Sequence, residues 1–196
     1  MAGWETHKGR VVHLPFENID TDQLIPARFM SVPRSEGYGD YLMHDLRRDV
    51  SGVLLADFPL NRVSGSILIA GNNFGSGSSR EAAVYALVDA GFKAVIAPSF
   101  GDIFSSNAVN NGLLPAQLPA TQIAALASGT TGEIDLHQGT LTIGVQTVNF
   151  DLDKTWREKL INGWDDIDLT LNHRDAIADF RAQRSKLPGA FPTQSK

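Results

Sequence analysis

Two short apolar runs constrain the fold more than any other feature of this chain. Ser66–Ala70 and Lys93–Ala97 are each of strand length and, after their first residue, carry no polar side chain. Such a run reads as a strand buried on both faces of a sheet. Between them, Gly71–Gly77 is a glycine-rich turn, and Ala82, Ala83, Ala86, Leu87 and Ala90 recur at spacings of three and four. That spacing predicts a helix over Ser79–Ala90, with Gly91 as its stop. A strand–helix–strand unit of about 30 residues joins parallel strands by a right-handed crossover. The fold class is therefore α/β.

The flanking chain reads as follows. Val11–Leu14 is a short strand ended by Pro15, and Asn18–Phe29 is a turn-forming loop with a short element. Residues 31–40 carry Pro33, Gly37 and Gly39 and predict a mobile surface loop. Asp102–Asn111 predicts a second helix and Ala120–Ala127 a third. Glu133–Leu136 and Thr140–Val145 predict a hairpin around His137–Gly139. Asp153–Asn162 reads as helix, Asp165–Ile167 as the start of another, and His173–Arg184 as an amphipathic helix with Ile177 and Phe180 facing inward. A chain of 196 residues is expected to form one domain. Its core would span about 8–150, a C-terminal helical segment about 151–184, and a frayed tail 187–196.

Composition narrows the function. With 17 basic and 22 acidic residues the net charge is −5, so the chain lacks the basic footprint of a nucleic-acid or membrane-surface binder. It has no cysteine, which excludes a thiol nucleophile, a disulfide framework and a cysteine-ligated iron–sulfur cluster held by this chain. His7, His13, His44, His137 and His173 show no metal-ligand spacing, so no metal site is expected. No apolar run approaches the ~20 residues of a membrane span, and Met1–Arg10 has no signal-peptide core. The expectation is a soluble cytoplasmic protein.

Chemistry concentrates in Gly71–Glu81, after a buried strand and before a helix, where open α/β sheets bind ligands. The backbone of Gly75, Ser76 and Gly77 would approach an anion closely, and helix N-terminal amides favour negative charge. An arginine in a first helical turn is disfavoured by about 0.3–1 kcal/mol unless an anion accompanies it. Arg80 therefore points to a carboxylate or phosphate. Three motifs fail: no lysine completes a phosphate loop, Arg80 stands where a dinucleotide fingerprint needs glycine, and neither Ser78 nor Ser79 has a nucleophile-elbow frame. A plain strand-to-helix turn, with Ser78 or Ser79 as N-cap, remains the competing reading.

Gly75-Ser76-Gly77-Ser78-Ser79-Arg80-Glu81 closely resembles a signature of the swivelling domain of the aconitase superfamily. Asn18–Phe29, Gly91–Phe104, Asn110–Pro115 and Asn162–Leu171 are similar, in order, to segments of the free-standing small-subunit family of the isopropylmalate dehydratases. The resemblance spans about 8 to 184. It implies a swivelling β/β/α domain with a helical C-terminal extension. It also implies a hydro-lyase subunit, inactive alone, that works with a large subunit bearing a [4Fe–4S] cluster on a small dicarboxylate, in leucine biosynthesis. Carried over by position, Ser78 would be the base that removes the proton alpha to a carboxylate. Ser79 would bond substrate or cap the helix, Arg80 would clamp a carboxylate, and Arg28 would add a second basic group. The competing reading of Arg28 is a solvated surface arginine. Asp20, Thr21 and Asp22 read as loop-fixing residues, since carboxylates repel a dianion.

This sequence departs from the family pattern at Ser76, usually cysteine or threonine, at Ala82, usually histidine, and in the Met30–Tyr38 loop. The loop leaves open a related hydro-lyase for another malate, of the 2-methylmalate or homoaconitate type. The Ala82 change leaves open a non-catalytic anion-binding module of the same fold.

Overall fold

The computed structural model describes residues 2–126 and 130–184. The expected frayed tail, and the end of the helix expected at Ala120–Ala127, lie outside the described residues. In chain order the strands are β1 (Thr6–Leu14), β2 (Ile67–Ala70), β3 (Ala94–Ala97), β4 (Leu114–Gln117), β5 (Thr131–Asp135), β6 (Thr140–Ile143) and β7 (Gln146–Asn149). The helices are α1 (Thr21–Leu24), α2 (Pro59–Arg62), α3 (Ala82–Asp89), α4 (Asp102–Asn110), α5 (Ala120–Ile123), α6 (Lys154–Asn162), α7 (Asp166–Asn172) and α8 (Arg174–Arg184). No helix among the described residues is long and apolar enough to cross a membrane.

One seven-stranded sheet runs β4-β3-β2-β1-β5-β6-β7. The long first strand serves both halves. Val11–Leu14 pairs in parallel with β2, while Thr6–Arg10 pairs antiparallel with β5. The parallel half is the predicted crossover unit, since β2 pairs β3 with Ile67 opposite Ala94. The antiparallel half is the predicted hairpin of β5 and β6, extended by β7.

Strand periodicity divides the apolar residues between two cores. Val12, Leu14, Leu68, Ala70, Val95 and Ala97 pack on one face with α3 and the N-terminal residues Leu24, Leu42 and Met43. Val11, Ile67, Ile69, Ala94, Ile96 and Leu114 pack on the other with Val109, Ile134, Leu141 and Leu160. This is why the two runs have no polar face: each successive residue enters one core or the other.

Several elements differ from expectation. β4 was not among the expected elements; it contains Pro115, and it is an edge strand, where a missing N–H costs little. β7 and the first half of β1 carry mostly polar side chains, and backbone pairing to a neighbour makes them strands. Helix α3 begins at Ala82, three residues later than predicted, with Glu81 before it in helical geometry and no side-chain cap. Neither Ser78 nor Ser79 is therefore its N-cap. Ile177 and Phe180 were expected to face inward, yet they are 49% and 64% exposed, and no residue of α8 is buried.

The segment 31–40 was expected to be mobile and is instead tied to α3. Arg34 pairs through both terminal nitrogens with Asp89, and its guanidinium lies 4.4 Å from the Tyr85 ring centre. Asp89 also accepts from the Tyr38 amide at 2.7 Å, and the Tyr38 side chain is buried in the core. Replacing Asp89 by alanine leaves that amide and Arg34 without an acceptor. Asp89→Ala is expected to lower the free energy of unfolding by about 1–3 kcal/mol in urea titration.

Candidate active site

The parallel strands β1, β2 and β3 all end at one edge of the sheet, and their following loops are stitched together there. Asn18 donates from its amide to Asn72 O at 2.8 Å. The Asn73 side chain donates to Asn18 Oδ1 at 3.0 Å. Both Asn18 (φ 56°) and Asn73 (φ 58°) are left-handed, a conformation asparagine tolerates better than most residues. Ser99, after β3, accepts from the Asn73 amide and donates to Asn72 Oδ1 at 2.7 Å. Phe74 is fully buried beneath this knot, edge-on to Phe104 at 5.4 Å.

Gly75 follows in a left-handed conformation, φ 72°. Its amide donates to Ile19 O at 2.7 Å. A Cβ there would lie 2.2 Å from Phe104 Cγ, so only glycine fits between the loop after β1 and helix α4. The anion cradle expected of Gly75, Ser76 and Gly77 therefore does not include the Gly75 amide.

Beyond Gly77, also left-handed at φ 97°, the chain exposes Ser78 and Ser79 and half-buries Arg80. These residues are a turn that precedes α3, so Arg80 is not in a first helical turn as supposed. The Ser78 amide donates to Thr21 Oγ1 at 3.2 Å, and the two hydroxyl oxygens lie 3.0 Å apart. Thr21 itself is buried, and its own amide donates to Ser76 O at 2.9 Å. The Arg80 guanidinium pairs with Asp22. Asp20 caps α1 with a reciprocal bond to Gln23, which holds Thr21 and Asp22 in place. At the other end of the turn, Glu81 accepts from Asn111 Nδ2 at 2.8 Å.

Comparison with known proteins agrees with this architecture. The model of the aconitase C-terminal domain family matches residues 1–121. A 3-isopropylmalate dehydratase small subunit from Halalkalibacterium halodurans is 42% identical over 195 residues, covering 94% of this chain and all of that protein. One from Christiangramia forsetii is 44% identical over 194 residues, covering 94% and 95%. The chain belongs to this small-subunit family. The crystal structure of the 3-isopropylmalate dehydratase of Methanocaldococcus jannaschii superposes with a TM-score of 0.68 at 30% identity, over 90% of this chain and 99% of that one. The fold is the swivelling α/β domain of the aconitase superfamily.

Ser78, Ser79 and Arg80, consecutive in the chain, share the turn before α3, with both serines exposed and Arg80 half-buried. Arg28 lies apart from them in sequence, in a 3-10 turn over Ala27–Ser31, and its guanidinium is committed to Asp45 with His44 beside it. It stacks on the next ring in the chain, 4.5 Å from the centre of Phe29. Ala82, the departure from the family pattern, is buried against the core at the first position of α3. Thr21 is the residue that the sequence reading passed over as loop-fixing. Its contact with Ser78 joins two segments 57 residues apart, which no local spacing reveals.

Two expectations follow from this geometry. Gly75→Ala would combine left-handed strain of about 1–2 kcal/mol with overpacking of about 1–3 kcal/mol against Phe104, a loss of about 2–5 kcal/mol readable by denaturant titration. The hydrogen bonds from Arg28, then His44, hold the Asp45 carboxyl down at about 2, from an ordinary 3.8. Its contribution to stability is thus complete above the ordinary value and is lost as pH falls through about 2. Arg28→Ala should move the Asp45 midpoint up toward the ordinary range in a carbon-detected NMR titration.

Proposed function

We infer that this chain is the small subunit of a 3-isopropylmalate dehydratase, a hydro-lyase that interconverts 2-isopropylmalate and 3-isopropylmalate by dehydration and rehydration. The observation that carries the reading is a full-length kinship with such subunits, joined to one geometric fact. Ser78 and Arg80 lie in one turn, bonded to the adjacent residues Thr21 and Asp22, with Ser78 open to solvent. Two cavities of about 320 and 340 Å³ lie elsewhere, against Arg47 and Asp89 and against Phe100 and Trp156, and neither includes Ser78. An open half-site calls for a second surface, and the large subunit is that surface.

The reaction divides between the chains. This one has no cysteine, and no cluster of metal ligands occurs among its described residues, so it does not fit an iron–sulfur cluster. The large subunit would carry the cluster, which supplies Lewis-acid activation of the leaving hydroxyl.

This chain's residues handle the proton and the carboxylate. Ser78 Oγ takes the proton from the carbon alpha to a substrate carboxylate and returns it on rehydration. A serine hydroxyl ordinarily ionises far above neutral pH, so the step needs water excluded and nearby donors aimed at the oxygen. Arg80 orients a substrate carboxylate. A guanidinium has five donors, and the bond to Asp22 uses one of them. Ser79, exposed and next in sequence, bonds substrate oxygen, and Arg28, in the 3-10 turn over Ala27–Ser31, supplies a second cation. In this reading one swivelling domain spans the chain, the enzyme works in the cytoplasm, and neither nucleic acid nor membrane is a partner.

The test is turnover by this chain alone and mixed with a cluster-loaded large subunit, under anaerobic conditions, on 3-isopropylmalate and 2-methylmalate. Activity on isopropylmalate only in the mixture is expected. A preference for 2-methylmalate would keep the mechanism and change the substrate. Ser78→Ala is expected to cut kcat by at least about 10³-fold with KM changed little. Retained turnover in that variant would remove Ser78 as the base.

A further inference from the structure

We propose that Thr21 is the positioning residue that orients the Ser78 hydroxyl and stabilises its negative charge. The proposal rests on Ser78 being the base. Thr21 Oγ1 already accepts from the Ser78 amide at 3.2 Å. A hydroxyl has one hydrogen to donate, and the Ser78 oxygen lies 3.0 Å away, within reach of the Thr21 hydrogen. When Ser78 is neutral, either hydroxyl can be the donor. Once Ser78 ionises it has no hydrogen left, and the bond runs only from Thr21 to the alkoxide. That bond is charge-assisted, so it strengthens as charge forms. An interaction stronger in the charged state lowers the pH at which the serine ionises.

The surroundings hold this donor still. Thr21 is 2% exposed, while Ser78 is exposed. The backbone of Thr21 is fixed at both ends, by its amide on Ser76 O and its carbonyl accepting from Ile25 at 3.0 Å. The capping box of Asp20 and Gln23 brackets it. One side chain thus binds the Ser78 main chain and side chain together, which sets both the position and the rotamer of the hydroxyl. Asp20, Thr21 and Asp22 then have separate tasks: Asp20 caps α1, Asp22 holds Arg80, and Thr21 serves the base.

The experiment uses the complex with a cluster-loaded large subunit, with 3-isopropylmalate as substrate. Thr21→Val removes the hydroxyl and keeps the shape. It is expected to lower kcat about 10- to 100-fold, the loss of a hydrogen bond to a charged group, with KM changed less than about threefold. The limb of the kcat profile that rises with pH should move to higher pH, because the alkoxide has lost its donor. Thr21→Ser should restore both rate and profile. In the chain alone, Thr21→Val should speed hydrogen exchange at the Ser78 amide, and Thr21→Ser should not. If Thr21→Val does not fold, Thr21→Ala against Thr21→Ser makes the same comparison, since both lack the methyl and only serine keeps the hydroxyl. A slow alanine variant beside a normal serine variant supports the proposal, and equal rates overturn it. Wild-type kinetics in Thr21→Val, with Ser78→Ala inactive, overturns the role of Thr21 and leaves Ser78 as the base. A loss with an unshifted profile and a raised KM also overturns it. Full activity in Ser78→Ala overturns the reading beneath it.

Discussion

The candidate site depends on how closely three loops can pass one another. Gly75 donates to Ile19 O at 2.7 Å while its α-carbon faces Phe104 with no room for a methyl group. Gly101 meets it from the other side, where a Cβ would lie 2.6 Å from Gly75 O. The Gly101 amide donates to Phe74 O at 2.9 Å, so the loops after β2 and β3 bind backbone to backbone. Any side chain at either position would push these loops apart. The separation of Thr21 from Ser78 and of Asp22 from Arg80 follows from the bond of Gly75 to Ile19, because both pairs bridge the same loops after β1 and β2.

How much of this was legible in the sequence varied with the range of the interaction. β2 and β3 were readable because burial on both faces leaves an unbroken apolar run. The hairpin of β5 and β6 was readable from its turn. Helix α6 was readable from Asp153, which caps it with bonds to Thr155 and Trp156. The start of α3 was misplaced because serines before a helix usually cap it, and here Ser78 is held by Thr21 instead. The C-terminal helix was readable as amphipathic, but an apolar stripe says only that a face could be covered. Among the described residues, Ile177 and Phe180 stay exposed. The site showed the same limit. Ser78 and Arg80 are neighbours in sequence and were found together, whereas their partners Thr21 and Asp22 are reached only through the fold.

Some motif residues acquire a physical reason only in three dimensions. Asn110 and Asn111 are adjacent and serve different ends of the molecule. Asn111 ties the end of α4 to Glu81, next to Arg80. Asn110 bonds both Asp166 and Lys159, whose ammonium is almost fully buried. The Lys159 hydrogen bond also draws the Asp166 carboxyl below its ordinary range. A buried ammonium needs such partners, and this one joins α4, α6 and α7 at a single point. Helices α6 and α7 are thereby anchored to the helix that backs Gly75.

Charge at the site presents an apparent conflict. Asp22 and Asp45 sit on the arginines expected to receive a dianion. A carboxylate about 4 Å from another repels it by about 1 kcal/mol in bulk water and about 4 kcal/mol at the effective dielectric near a protein surface. The open site therefore tolerates Asp22, and the cost grows as water leaves. The guanidinium resolves part of this, since one donor on Asp22 leaves four for another acceptor. The rest follows from order. Arg80 has a long side chain, and Asp22 fixes it before any substrate arrives, so less rotamer entropy remains to be lost on binding. The same reasoning covers the exposure of Ser78, the base of the proposed reaction. On the proposed reading, Ser78, exposed and held by Thr21, stays a hydroxyl in water, and water must be excluded before it can act as the base. A chain that prepares its groups and leaves the enclosure to another surface would then carry a half-site that its partner completes.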